Sequence, residues 1–363
     1  MSSAREVVMR TCAANTVNLN TTRTLLWVYS RPPAPNKVDA VTTTTSNRYA
    51  LAIDIGGTKV EAALVDPNGV VLAASRFRAP TGRASSSDQL AESVLTVVRQ
   101  STAALPDGAE LLGVGIGSAG PISVSRGEVS PLNLPAWRDY GVRTLVEAEL
   151  PGISVALRGD GNCIALAEHW IGAAQGVKYF MGMVVSTGVG GGLILDNQLI
   201  DGPTGNGGHF GHVEVGGETV VCGCGGTGCV EAVASGPKTV EWAQARGWTG
   251  STGEELSADY AAGNEIAISA VRRSARAVGH GIASATALVD LELVAIGGGF
   301  SHVAADYIDL VAEAITDRTP FPFITKVRVV ASGLSSDGPL IGAASLVHHP
   351  ERLSNSALEG ATS

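Results

Sequence analysis

From Tyr49 onwards the chain is written in short apolar runs punctuated by glycine. YALAIDI predicts a buried strand, GG a turn, TKVEAALVD a second strand, PNG another turn and VVLAASRFR a third strand, together an antiparallel meander. The period then changes. SSSDQLAESVLTVVRQST has helical spacing behind serine caps, and ELLGVGIG returns to a buried strand that ends in the turn SAGP. A helix over about 141–149, a strand near 153–157 and a helix from about 161 to 173 complete this first unit.

A second unit follows the same plan. KYFMGMVVS, TGVGG and GLILD read strand, turn, strand, and NQ turns the chain again before LI. Beyond them lie a long helical pattern from Asn264 to about Val289, the strand LELVAIGGG, a helix after Ser301, the strand KVRVVAS and a closing helix over about 338–348. A strand meander followed by alternating helices and strands, twice over, predicts an α/β chain with an internal duplication and a ligand cleft between its halves. We expect a first α/β domain over 48–158, a second over 159–337, and a closing helix at 338–350 that returns to the first. Residues 1–47, with RPPAPN and TTTTS, and residues 351–363 lack a sustained apolar period and read as a flexible extension and tail. LLWVYS, at 25–30, is the stretch of the extension suited to docking.

Composition narrows the class. Hydrophobic residues are 45% and charged residues 16% of the 363, with 46 glycines, which suits a turn-rich α/β enzyme and not a disordered chain. A net charge of −9 offers no basic footprint for a phosphate backbone, so nucleic acid is not expected as a partner. No apolar run reaches the roughly 18 to 20 residues that cross a bilayer, and the start lacks the basic, apolar, small-residue order of a secretion signal. We therefore expect a cytoplasmic protein with no membrane partner. Thiols stay reduced there, and clustered cysteines suit a metal better than disulfides.

The glycine turns have a chemical use. In DIGGTK, Asp54 ends a strand, and Gly56 and Gly57 form a tight turn whose amides can approach an anion without a Cβ in the way; Thr58 and Lys59 add a hydroxyl and a positive charge. The equivalent turn of the second unit, STGVGGG, offers Ser186, Thr187, Gly188 and Gly190. Two such turns facing one cleft can hold the phosphates of a nucleotide from both sides. Neither matches GxxxxGK[ST], and neither opens a helix as a dinucleotide fingerprint does. Gly297, Gly298 and Gly299, in AIGGGF, end a third strand where backbone can approach an adenosine.

Residues 211–229, GHVEVGGETVVCGCGGTGC, set His212, Cys222, Cys224 and Cys229 among glycines that let the backbone wrap an ion. One imidazole and three thiolates satisfy tetrahedral zinc and leave no open position, which indicates a structural site that does not activate water. Such an ion would also fix the loop carrying Glu231 and the orientation of His212.

In this order and spacing, DIGGTK, STGVGGG, GHVEV, CGCGGTGCVE and AIGGGF resemble the ROK family of repressors and sugar kinases, which includes bacterial glucokinases, over roughly residues 48–348. The resemblance implies an actin-like (ribonuclease H-like) two-domain kinase fold, ATP with magnesium, a sugar in the cleft and a homo-oligomer. Carried across by motif, Asp160 in RGDGNCIALAEHW is the catalytic base that takes a proton from a sugar hydroxyl, typically the 6-hydroxyl, as it attacks the γ-phosphate. The same residue reads equally as a helix N-cap before an apolar helix. Asp54 would orient magnesium or its water, and Thr58, Lys59, Thr187, Gly188 and Gly190 would surround phosphate. Asn133 in NLPAW and Glu231 resemble sugar contacts, and His212 is both a zinc ligand and a neighbour of the sugar.

Two positions depart from the family pattern. Gly159 stands where an asparagine normally precedes the catalytic aspartate, and His209, in GHFGH, replaces a glutamate at the sugar corner. A carboxylate accepts with both oxygens, whereas a neutral imidazole has one acceptor and one donor, so the hydroxyls read there must differ. The leading reading is an ATP-dependent hexose kinase. A sugar-responsive regulator would need a DNA-binding domain before Tyr49, for which that segment is a poor candidate, and a catalytically weak sugar-binding protein is the remaining alternative.

Overall fold

The computed structural model describes residues 47–334 and 336–353. The readings made of residues 1–46, LLWVYS included, and of 354–363 lie outside the described residues.

Two five-stranded sheets share one plan. In the first, β1 (Arg48–Ile55), β2 (Lys59–Val65) and β3 (Phe77–Pro80) form the antiparallel meander, and β4 (Glu110–Ser118) lies parallel to β1 on its other side. A short ribbon, β5 (Ile122–Ser123) with β6 (Glu128–Val129), follows β4, and β7 (Val155–Gly159) completes the order β3-β2-β1-β4-β7. The second sheet repeats it with β8 (Tyr179–Val185), β9 (Val189–Leu195), β10 (Gln198–Leu199), β11 (Leu293–Gly297) and β12 (Arg328–Ala331), in the order β10-β9-β8-β11-β12.

Helices close the faces of both sheets. In the first half, α1 (Ser87–Ala103) starts in a capping box between Ser86 and Gln89 and buries Leu90, Val94, Val97 and Val98 in one core with α2 (Val142–Glu149). α3 (Asp160–Trp170) leads to the second half, which holds α4 (Val230–Ala234), α5 (Gly236–Gln244), α6 (Gly253–Ala261), α7 (Glu265–Val289), α8 (Tyr307–Arg318) and α9 (Pro322–Thr325). There α7 and α8 pack against each other in a core that includes Val271, Val278, Tyr307 and Val311. The last helix, α10 (Gly338–His348), lies on β1 and β4 of the first sheet and along α3, while α3 lies on β8 and β9. A third core, with Ala52, Ala63, Leu166, Phe180, Leu340 and Ala344, fills this central layer. Glycine lets it close: a Cβ on Gly115 would fall on the Ala343 carbonyl, and one on Gly342 on the Cys163 carbonyl.

Some elements differ from the sequence reading. The third strand starts only at Phe77, because Ala73–Ser75 is a 3-10 turn in which the buried Ser75 hydroxyl accepts the Leu64 N–H at 2.8 Å and donates to the Leu72 carbonyl at 2.7 Å. The β5–β6 ribbon and α4, α5, α6 and α9 were not anticipated; each is nine residues or fewer, too short for apolar spacing to declare a period. The expected loose tail begins later than residue 351, since Leu353 packs into the central core at 7% exposure.

Candidate active site

Asp54 is the penultimate residue of β1, and the turn after it is closed by Gly56 N–H donating to the Lys59 carbonyl at 3.0 Å. Gly57 is held against the Asn133 amide, which fills the place of a Cβ. Thr58 is exposed. Lys59 Nζ points to the nearly buried Glu61 at 2.6 Å, a carboxylate also paired with Arg76 and Arg78, so the lysine is tethered beside the turn.

The matching turn joins β8 to β9. Ser186 N–H donates to the Gly188 carbonyl at 2.8 Å, and Val189 N–H donates to Glu231 Oε2 at 3.1 Å. That oxygen stands 2.7 Å from where a Gly188 Cβ would be, so Glu231 supports this turn directly. Gly298, at φ +93°, is pressed on the Val185 backbone, a position open to glycine alone. Beside these turns opens a cavity of about 770 Å³ lined by Ser186, Thr187 and Gly299 together with side chains of α5 and α6, among them Val240, Gln244 and Glu254. These helical residues were not found from sequence because nothing in their spacing marks them.

Asp160 lies between the two turns. It is the first residue of α3, with Gly159 in the N-cap place, and its Oδ1 accepts the Gly161 N–H at 2.7 Å. Protein surrounds it on most sides, yet it stays open to solvent through the cleft. Burial pushes its carboxyl up to about 6; the Gly161 N–H works against this and Glu231 adds repulsion. Burial likewise pushes Asp54 up to about 7, and Asp160 adds to it while Lys59 pulls it down. Asp54, Asp160 and Glu231 thus form one electrostatic group that links both turns.

A small cavity at Asp160 is walled by Asn162, Asn206, His209 and glycines such as Gly120, Gly159 and Gly190. His209 packs on Gly120 and lies 4.7 Å, between ring centroids, from His212. Burial, with His212 second, holds its imidazole below the usual histidine range. Asn206 bridges the halves by accepting the Ile122 N–H at 2.9 Å and donating to the Ile122 carbonyl at 2.8 Å. Sequence reading missed Asn162 and Asn206. The first stood inside a quoted motif, and the second was hidden in the glycine-rich GPTGNGGHF.

His212, Cys222, Cys224 and Cys229 converge, with ligand atoms all within 4.8 Å of one another. His212 Nδ1 is 3.6 Å from Cys222 Sγ, and Cys224 Sγ is 3.8 Å from Cys229 Sγ. A tetrahedron with zinc–sulfur bonds of about 2.3 Å has edges of about 3.8 Å, so the four fit a closed zinc site. Burial raises the Cys222 thiol and pushes Cys229 up to about 12, while the Gly226 N–H draws Cys224 down. A cation would supply the charge that makes three adjoining thiolates tolerable. Cys229 also caps α4, the helix that carries Glu231.

A sequence profile of the ROK family matches residues 50–350. The chain belongs to the ROK family. Among ROK and related proteins it is similar to the N-acetylmannosamine kinase of Yersinia pseudotuberculosis, 34% identical over 81% of this chain and 96% of that protein. It is similar to the glucokinase of Streptomyces coelicolor, 29% identical over 83% of this chain and 98% of that protein. It is also similar to a ROK family glucokinase from Streptomyces griseus solved with glucose and AMPPNP, at a TM-score of 0.71 and 29% identity, covering 82% of this chain and 99% of that one. With these relatives, the paired sheets are the actin-like two-domain fold of ROK sugar kinases. No described helix is long and apolar enough to cross a membrane.

Proposed function

We propose that this chain is an ATP-dependent sugar kinase that transfers the γ-phosphoryl group to a hexose hydroxyl, the 6-hydroxyl of glucose or a related sugar. The observation that carries the reading is that Asp160, open to solvent, interacts electrostatically with Asp54 at the first glycine turn and shares a cavity wall with Gly190 of the second. The cavity beside Ser186, Thr187 and Gly299 is large enough for an adenosine, whose phosphates would then run towards the two turns.

The chemistry follows from these positions. Asp160 accepts the proton of the sugar hydroxyl as its oxygen bonds to the γ-phosphorus; the bond from that phosphorus to the bridging oxygen breaks, and ADP leaves with the electron pair. A carboxylate near 6 is mostly ionised at neutral pH and more basic than an ordinary aspartate. The backbone amides of Gly57 and Gly188 face the phosphates, Gly56 and Gly190 hold the two turns in shape through their backbone pairing, and Thr58, Lys59 and Thr187 flank the phosphates. Magnesium, when bound, neutralises charge on the β- and γ-phosphates, and Asp54 is the carboxylate placed to orient it or its water. Asn133, His209, His212 and Glu231 surround the sugar. Zinc on the four converging ligands is structural: it fixes His212 and, through Cys229, the start of the helix that bears Glu231.

An ADP-release assay across hexoses, amino sugars and N-acylated amino sugars, with ATP and with polyphosphate as donor, tests the reading. Turnover of one sugar class with ATP is the expected result. A flat response from protein that still binds a sugar would favour the catalytically weak binder, the alternative to which Gly159 and His209 point.

A further inference from the structure

Asn162 is the polar group of the cleft that the chemistry above leaves unused. It follows Asp160 by two residues in the first turn of α3, is 3% exposed, and walls the same cavity as Asp160 and His209. Its Nδ2 reaches the Gly205 carbonyl at a long 3.5 Å, and its Oδ1 has no hydrogen-bond partner among the described residues. Buried side-chain amides are rarely left half-paired, so an orphaned acceptor on a residue that walls a cavity marks where a donor is expected.

The surroundings narrow what that donor is. A Cβ on Gly159 would meet nothing nearer than Asn162 Nδ2, at 3.8 Å, so the space over Gly159 is open next to the orphaned amide. Asn206 is committed to both backbone groups of Ile122, and the rest of the wall is His209 and glycine. Beside Asp160, the side-chain groups left for a ligand are therefore the Asn162 amide and the His209 imidazole, and of these Asn162 stands next to the space over Gly159.

We propose that Asn162 is the residue that selects the sugar. Its Oδ1 accepts a hydrogen bond from the ring hydroxyl nearest the reacting arm, the 4-hydroxyl of a hexose, in the space that Gly159 leaves open. The proposal rests on the sugar-kinase reading and deepens it. It moves recognition of this hydroxyl from position 159, where the family pattern has an amide, to position 162.

The test uses the full chain, the hexose it turns over best, and the 4-deoxy form of that hexose. Binding is followed by calorimetry and turnover by ADP release. Wild-type protein should bind the 4-deoxy sugar on the order of tenfold more weakly than the parent. Asn162→Ala should lose that preference, binding both sugars alike and raising KM for the parent sugar while KM for ATP stays unchanged. Asn162→Ser serves if the alanine variant does not fold. Equal binding of the two sugars by wild type, or an undiminished preference in the variant, would overturn the proposal while leaving the kinase intact. Absence of turnover with every sugar would instead strike the kinase reading, and calorimetry with the hexose that binds most tightly and its 4-deoxy form would still decide the role of Asn162.

Discussion

In the role proposed for it, Asp160 must be ionised near neutral pH and yet hold a proton well; burial lifts its carboxyl only to about 6, which makes it more basic than an ordinary aspartate and leaves it mostly ionised at pH 7. Asp160→Asn should lower kcat by about 10²–10⁴-fold while leaving ATP affinity within about twofold, as titration with a nonhydrolysable nucleotide can show. With Asp160 as the proposed base and its folded-state value raised to about 6, kcat/KM should fall as pH drops through 6 and level off about one pH unit above the Asp54 value of about 7, where both carboxyls are ionised. A profile that rises as pH falls would remove Asp160 from this role. The residues legible in the sequence were those fixed by a motif: the two glycine turns, Asp160 and the four metal ligands. Asn162 and the Lys59–Glu61 tether were illegible because each depends on what a side chain meets across the fold, and spacing along the chain carries no such information.

At the scale of elements, the central layer depends on two helices that touch without side chains between them. Alanine normally stabilises a helix relative to glycine by about 1 kcal/mol. At Gly342 the sign should reverse, because a methyl group would land on the Cys163 carbonyl and α3 and α10 would have to separate. Gly342→Ala should destabilise the protein by about 1–3 kcal/mol, read as a shift of the urea midpoint. The metal loop makes the complementary prediction. Cys224→Ser should lower bound zinc in elemental analysis and weaken sugar binding, since Cys229 and Glu231 are joined through α4; full zinc content in the variant would contradict the site. Strands and long helices were legible from period alone. The short α4, α5 and α6 were not, nor was the 3-10 turn that delays β3, which depends on the Ser75 hydroxyl bonding to Leu64 and Leu72.

For the whole molecule, the duplication was visible in the sequence because the strand meander recurs with its glycine turns, while the order of the later strands in each sheet came from the structure. One tie at the crossings between the halves was not visible, since it rests on contacts of a buried side chain far along the chain. Glu168, in α3, accepts the Ala173 N–H at 2.7 Å and the Gly333 N–H at 3.3 Å, and also takes the Ser332 hydroxyl. Glu168→Ala would leave these donors without their acceptor and should destabilise the chain by about 2–4 kcal/mol, measured by urea denaturation.

The polypeptide passes from one sheet to the other after β7 and comes back after β12, and at Gly172–Ala173 and Ser332–Gly333 the two passages touch backbone to backbone. Both passages are tied at one place by the same carboxylate, so a change at Glu168 is felt by both crossings at once.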